Sequence, residues 1–151
     1  MISTMIDFAD IVLAALLVGG MYGVWLMLNP ARRTAGLYIT LHQQGVRTLN
    51  TAFPAFGAAN VVLSIAAAVM ARSQSTRSSL LVATAMCFAA AGLITRFRNQ
   101  QINAIVINWK SDAPPPNWMK VVDEWLRWHL IRLFIGLGGL CLLITAVLRH
   151  G

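Results

Sequence analysis

Residues 124–148 read EWLRWHLIRLFIGLGGLCLLITAVL, and they pass from a turn rich in tryptophan and arginine into a long apolar run. The apolar part, 130–148, has about the 20 residues that an α-helix needs to cross the hydrocarbon of a bilayer. Its single charged residue is Arg132, close to the start of the run. The stretch therefore predicts a membrane-spanning helix whose polar end carries side chains capable of chemistry.

The whole chain has the composition of a membrane protein. Hydrophobic residues make up 58% of its 151 residues and charged residues only 11%, against about 25% charged in soluble domains. Its mean hydropathy is +0.66. We expect one all-α domain, 1–151, that forms an integral membrane four-helix bundle. The predicted spans are 8–28, 53–71, 80–95 and 130–148.

Helices two, three and four are predicted to extend beyond the bilayer on one side. The second helix is continuous through Pro54, where it bends, because a polar segment precedes the apolar run without a breaker. The third continues past its span to Lys110, since its periodicity holds without Gly or Pro. Residues 72–79 predict a solvated turn, and the prolines of SDAPPPNW force a break. Asn117 is the predicted N-cap of a last helix that starts at Trp118.

The strong positive charge, +7 with a pI of about 10.8, indicates membrane topology and not nucleic-acid binding, because the basic residues flank apolar spans. Nine of the twelve lie on the side that carries the polar extensions. The positive-inside rule then places this polar head in the cytoplasm and both termini outside. We expect a protein of a bacterial inner membrane, with anionic lipid head groups as neighbours.

Small residues and cysteines carry weaker signals. Gly19 and Gly23 have the four-residue spacing that lets another helix approach closely, so we predict a packing role. Cys87 and Cys141 lie inside apolar runs and form no CxxC or metal-binding spacing, so we predict no metal site.

Polar and aromatic residues gather on one stripe of each extended helix, as a helical wheel shows. The stripe of the second helix contains Gln43, Arg47 and Asn50, with His42 about 100° away, near its edge or on a neighbouring face. The stripe of the third helix contains Thr95, Asn99 and Asn103. The stripe of the last helix contains Trp118, Val122, Trp125, His129, Arg132 and Gly136. Turned inward at one depth, the three stripes would line a single pocket.

Each stripe also has an ordinary structural interpretation. Asn and Thr residues in membrane helices often hydrogen-bond between helices, and tryptophans at this depth form the aromatic belt. Arg127 points away from the stripe of the last helix and Trp128 lies towards its edge, and we assign both to anchoring. Collecting amides, arginines and a histidine beside hydrocarbon is costly, however, and such a collection is by default a functional hypothesis.

Residues 94–132, ITRFRNQQINAIVINWKSDAPPPNWMKVVDEWLRWHLIR, resemble the signature of the small four-span membrane family that includes the anthrone oxygenases. The matching positions are Thr95, Asn99, Asn103, Trp118, Trp125, His129 and Arg132. GGMYG, Pro30 and HQQGVRTLN are similar to earlier parts of that pattern. Two positions depart from it: Gln101-Ile102 replaces a common proline, and His129 stands where many members have Asn.

The resemblance implies a membrane oxygenase that needs no metal or flavin and uses O₂ as co-substrate on a hydrophobic aromatic or quinone-like substrate. Under it, His129 is the expected base, Asn99 and Asn103 donate to the substrate oxygen, and Arg132 and Arg47 stabilise the anion. Trp125 would stack on the ring. The other expected substrate-binding residues are Gln43, Asn50, Thr95 and Trp118.

Two other classes of function remain open at this point. The chain could be a non-enzymatic membrane protein that binds a small molecule or serves as an accessory subunit of a larger complex. It could also carry haem or a metal between His42 and His129, as helix-bundle cytochromes do. No nucleic-acid partner is expected, and whether the protein is a homo-oligomer stays open.

Overall fold

The computed structural model describes residues 2–29 and 34–149 and is all-helical over that part of the chain. The helices are α1 (Ile2–Met27), α2 (Ala35–Met70), α3 (Ser75–Ile94), α4 (Gln100–Val106) and α5 (Trp118–Leu148), and a π-helical turn (Thr95–Asn99) joins α3 to α4. The all-α prediction is confirmed. Pro30, one of the positions that resemble the family pattern, lies outside the described residues.

Four helical rods are long and apolar enough to cross a membrane, because α3, the π turn and α4 form one continuous rod, Ser75–Val106. This supports the predicted integral membrane protein. At 1.5 Å per residue, the 36 residues of α2 reach about 54 Å, and hydrocarbon is only about 30 Å thick. The extension of three helices beyond the bilayer remains a prediction with which these lengths agree.

The rods run antiparallel, so the bundle has two distinct ends. We call the end where α1 and α4 finish and α2 and α5 begin the head end, and the opposite end the foot end. An apolar core that includes Leu17, Phe88 and Leu133 fills the foot half of the bundle. A second core around Tyr38, Val122 and Trp125 fills the head half, and the polar site lies beside it.

The predicted packing role of Gly19 and Gly23 is not found within this chain, since a Cβ at either position would meet no atom within 4 Å. Gly20 takes that role instead. A Cβ there would lie 2.8 Å from the ring of Phe53, so the missing side chain lets α2 approach α1. The four-residue spacing of Gly19 and Gly23 therefore pointed to the correct turn of α1, but the close contact with α2 is on the neighbouring face, at Gly20.

The predicted turn at 72–79 was too long, because α3 already begins at Ser75. Contacts made by its first turn explain the early start. Arg77 is buried and donates to Asp7 at 2.6 Å, and the Ser78 hydroxyl donates to the carbonyl of Ala68 at 3.0 Å. Arg77 lies within the predicted solvated turn, and in the structure it is instead an internal ion-pair partner.

The third rod ends at Val106, short of the predicted Lys110. The side chain of Gln43 donates to three carbonyls at and just beyond this end, those of Val106, Ile107 and Trp109. These bonds satisfy carbonyls that the end of a helix leaves without partners. The last helix starts at Trp118 as predicted. Asn117 precedes it without a side-chain capping bond, and only its backbone carbonyl accepts from Lys120 and Val121.

Candidate functional site

An open cleft lies at the head end, between α2, the π turn, α4 and α5, with the last turns of α1 as one wall. Its void volume is about 430 Å³, including the part open to solvent. The lining residues are Val24, Leu28, His42, Gly45, Val46, Leu49, Asn50, Phe53, Pro54, Thr95, Asn103, Trp125 and Arg132. Most of the wall is apolar, and the polar groups converge from three helices.

Asn103 is the centre of one hydrogen-bond network in this cleft. Its Oδ1 accepts from Trp125 Nε1 at 2.8 Å and from His42 Nε2 at 3.0 Å. Its Nδ2 donates to Asn50 Oδ1 at 3.2 Å. An indole N–H can only donate, so the atom of Asn103 that faces Trp125 must be the oxygen. That fact fixes the orientation of the amide.

The same reasoning fixes the protonation of His42. Because Nε2 faces an oxygen that can only accept, Nε2 must carry a hydrogen. With that hydrogen on Nε2, the neutral ring offers Nδ1 as an acceptor to the hydroxyl of Tyr38, 2.8 Å away. A directed chain runs from Tyr38 through His42 to Asn103.

Arg132 is the centre of the second network. Its NH1 donates to Thr95 Oγ1 at 2.8 Å, and its NH2 donates to His129 Nδ1 at 2.9 Å. Nε2 of His129 faces the backbone carbonyl of Met21 at 2.9 Å and must therefore donate. Both ring nitrogens of His129 thus have protein partners, and the imidazole is neutral, since Nδ1 accepts from a guanidinium.

The charge of Arg132 has no carboxylate partner among the described residues. The side chain is only 6% exposed, and its two bonded groups, a hydroxyl and a neutral imidazole, carry no negative charge. Nε of the same guanidinium is buried and has no hydrogen-bond acceptor. The single ion pair in the described part of the chain is Asp7–Arg77, at the foot end. The cleft therefore presents an uncompensated, partly desolvated cation.

Trp125 links the two networks. Its ring stacks on His129 with centroids 4.7 Å apart and an interplanar angle of 14°, and it lies 4.7 Å from the ring of His42. The backbone carbonyl of Trp125 accepts from Asn99 Nδ2 at 3.1 Å. The indole is 3% exposed, so one helix presents a rigid aromatic wall together with the cation.

The structure brings together part of the predicted set. Asn50, Thr95, Asn103, Trp125 and Arg132 all line the cleft. Asn99 and His129 are fully buried directly behind it. The predicted role of His129 as the base remains a prediction, and in the described conformation its basic lone pair is occupied by Arg132.

The remaining members of the predicted set lie elsewhere. Gln43 binds the carbonyls of Val106, Ile107 and Trp109, with distances from 2.9 to 3.4 Å, and does not line the cleft. Arg47 is exposed and is not among the lining residues. Trp118 packs against the ring of Tyr38, centroids 6.0 Å apart. The helical wheel placed the inward face of α2 about one residue too far along the chain. His42, expected beside the polar stripe of α2, faces inward.

The two histidines, as arranged, do not fit axial ligation of a haem. All four of their ring nitrogens contact protein partners, and the indole of Trp125 lies against both rings. Among the described residues, no group of three or more His, Cys, Asp or Glu side chains could hold a metal ion.

Sequence reasoning missed three parts of the site. Tyr38 orients His42, and its signal was the i, i+4 spacing of two residues that can hydrogen-bond. The carbonyl of Met21 holds His129, and backbone acceptors leave no trace in a sequence. The third part is the π turn from Thr95 to Asn99. Its sequence contains neither Gly nor Pro to mark it, and such turns are frequent at functional sites.

Comparison with known proteins gives one match. A family model described as anthrone oxygenase matches residues 46–142, more than half of the chain. The matched range contains the cleft residues of the π turn, α4 and α5, and most of those of α2. It leaves out His42, Gly45 and the wall formed by α1. No curated protein and no solved structure matches the chain.

Proposed function

We propose that this chain, a member of the anthrone oxygenase family, uses its head-end cleft to oxygenate a hydrophobic aromatic substrate. We propose that it does so without a metal or organic cofactor. The substrate class is a fused-ring ketone with an acidic ring methylene opposite the carbonyl. Such a molecule can supply the electrons itself, because its anion is electron-rich enough to reduce O₂. The protein then has to bind the anion, move protons and limit access of water.

One observation carries this proposal: the buried, uncompensated guanidinium of Arg132 on the wall of an aromatic cleft. A cation beside hydrocarbon is unfavourable unless something offsets its charge. A substrate that becomes an anion during the reaction would supply that charge when the reaction needs stabilisation. Preorganised donors aimed at developing negative charge are usually the largest single contribution to catalysis.

The reaction converts the methylene and one O₂ into a ketone and one water. Removal of one methylene proton gives an anion with its charge on the ring oxygen, beside Arg132. One electron passes to O₂, and the carbon radical and superoxide combine to form a C–O bond. The resulting peroxide takes a proton, then loses the second methylene proton as its O–O bond breaks. The carbon becomes a carbonyl, and the released hydroxide is protonated to water.

Arg132 and His129 together offer a way to couple substrate binding to proton removal. NH2 of Arg132 now occupies the lone pair of His129 Nδ1. When a substrate oxygen takes over that N–H, Nδ1 becomes free to accept the methylene proton. The bond from His129 Nε2 to the carbonyl of Met21 holds the ring in place. The proposed base is therefore freed by the substrate oxygen on which the negative charge then develops.

The other cleft residues would position the ring. Trp125 presents an aromatic wall that is held by its stacking on His129. Asn103 uses one hydrogen of its amide for Asn50, and among the described residues the second has no acceptor. That hydrogen can donate to a substrate oxygen. The chain from Tyr38 through His42 keeps the amide in the orientation in which its nitrogen, and not its oxygen, is available.

The test is turnover of anthrone by purified protein in lipid nanodiscs, followed as quinone absorbance together with O₂ consumption. We expect one O₂ consumed per quinone formed. Arg132→Met should reduce turnover by about 10²–10³-fold, the effect of removing one oxyanion donor. Arg72→Met, which removes an exposed arginine at the foot end, is the control and should leave turnover unchanged.

A second variant separates the base from the binding groups. His129→Gln can still accept from Arg132 and donate to Met21, but it cannot take a proton near neutral pH. We expect it to bind a hydroxyanthraquinone, followed by the colour shift of its ionised form, and to lose about 10²–10⁴-fold in turnover. Full activity of His129→Gln would refute the assigned base. Binding without turnover by the unmodified protein would refute the oxygenase and favour a binding protein.

A further inference from the structure

Two arginines meet on one tryptophan at the outer surface of the head end, away from the cleft. The guanidinium carbon of Arg98 lies 4.8 Å from the ring centre of Trp128, and that of Arg127 lies 5.5 Å from the same ring centre. Both distances are within the range of cation–π attraction. One indole from α5 therefore holds a positive charge from the π turn and another from its own helix.

Neither of these cations has an acidic partner in the described part of the chain, where the only ion pair involves Arg77. Asp123 and Glu124 lie one turn earlier on α5 and pair with neither. Both arginines are exposed, so nothing buries them against protein. Two like charges gathered on one ring, without a counter-charge, form a local site of positive potential that attracts an anion.

The depth of this cluster identifies the kind of anion. Arg98 lies three residues after Thr95, where the third predicted span ends, and Arg127 lies three residues before Leu130, where the fourth begins. At 1.5 Å per residue each is about 4.5 Å beyond the apolar part of its helix. That is the level of lipid head groups. Phe97, the chain neighbour of Arg98, is strongly exposed and adds an apolar side chain beside the cluster.

We infer that Arg98, Trp128 and Arg127 form a binding site for the phosphate of an anionic phospholipid head group. Guanidinium groups bind phosphate through a planar fork of N–H donors. The indole keeps both forks at the membrane surface, where tryptophan is favoured. The exposed ring of Phe97 would contact an acyl chain of the same lipid. This site is independent of the proposed oxygenation and has no residue in common with the cleft.

The experiment titrates the detergent-purified protein with phosphatidylglycerol and counts bound lipid by native mass spectrometry. We expect one phosphatidylglycerol to bind roughly tenfold more tightly than phosphatidylcholine, an effect of the size expected from two arginines at an anionic surface. The double variant Arg98→Gln/Arg127→Gln should lose this preference. Arg72→Gln/Arg149→Gln removes the same charge from the foot end and should retain it.

A third variant and a competitor test the assignment further. Trp128→Leu keeps both charges but removes the ring that holds them, and we expect an intermediate preference. Equal loss in the foot-end double variant would show that net charge alone determines binding and would overturn the site. Displacement of the lipid by millimolar inorganic phosphate would overturn its assignment to a lipid head group. Unchanged anthrone turnover in Arg98→Gln/Arg127→Gln would show that the lipid site acts separately from the proposed oxygenation in the cleft.

Discussion

Among the described residues, each end of the bundle buries one arginine against a neighbouring helix, but only one of the two has a carboxylate partner. At the foot end, NH2 of Arg77 lies 2.6 Å from Oδ2 of Asp7, and both side chains are nearly inaccessible. At the head end, Arg132 is equally buried, and within the described part of the chain it hydrogen-bonds only to a hydroxyl and a neutral imidazole. A compensated cation ties two helices together, whereas an uncompensated one is suited to binding an anion.

The largest effect should come from breaking the compensated pair. Arg77→Met leaves the carboxylate of Asp7 buried without a partner, and loss of one member of a buried ion pair lowers the free energy of unfolding by about 3–5 kcal/mol. Denaturant titration of the protein in detergent micelles measures this. Turnover per folded molecule should not change, because the pair lies at the opposite end from the cleft.

The double variant Asp7→Leu/Arg77→Met is the control for that prediction. Replacing both charges by apolar side chains is often neutral or stabilising, so most of the lost stability should return. If the double variant is as unstable as Arg77→Met alone, Asp7 and Arg77 do not act as a unit. The foot-end arginine would then not be compensated by its carboxylate, contrary to the comparison made above.

A second change would turn the head end into a copy of the foot end. Oγ1 of Thr95 lies 2.8 Å from NH1 of Arg132, so Thr95→Asp places a carboxylate beside the free cation. We expect binding of a hydroxyanthraquinone anion to weaken by one to two powers of ten, since the new charge competes for the guanidinium at close range. The unfolding free energy should not fall, because the buried charge gains a partner.

Thr95→Asn is the matched control, as it has the shape of aspartate without the charge. It should retain most of the binding that Thr95→Asp loses. Equal losses in the two variants would mean that the hydroxyl of Thr95, or the space around it, matters more than the charge of Arg132. That result would remove the main support for an anion-binding cleft.

The sequence predicts α5 well because one continuous pattern determines its inner face. The residues expected to point inward, from Val122 to Gly136, are buried, since charged neighbours such as Arg127 leave only one apolar face. The amide stripe of the third helix also reaches the site. These predictions rest on periodicity within one helix, which a sequence contains in full.

The error on α2 has a physical cause. The wheel followed polar residues and selected Gln43 and Arg47, yet the inner face of α2 is formed by His42, Val46 and Asn50. Outside the hydrocarbon a long charged side chain can face water, so polarity no longer marks the inside of the bundle. The partners of His42 and His129 depend on the tertiary structure, and the backbone carbonyl of Met21 cannot be read from residue types.

The smallest predicted effect concerns Gln43, which the sequence assigned to substrate and the structure assigns to the end of α4. Its amide donates to three carbonyls there, and a net hydrogen-bond contribution is about 1 kcal/mol. Gln43→Leu should therefore speed amide hydrogen exchange at Ile107, Asn108 and Trp109 several-fold. Gln44→Leu is the control, because that neighbouring side chain is exposed and makes no such bond. If Gln43→Leu weakened substrate binding and left amide hydrogen exchange unchanged, Gln43 would be a substrate-binding residue as the sequence predicted.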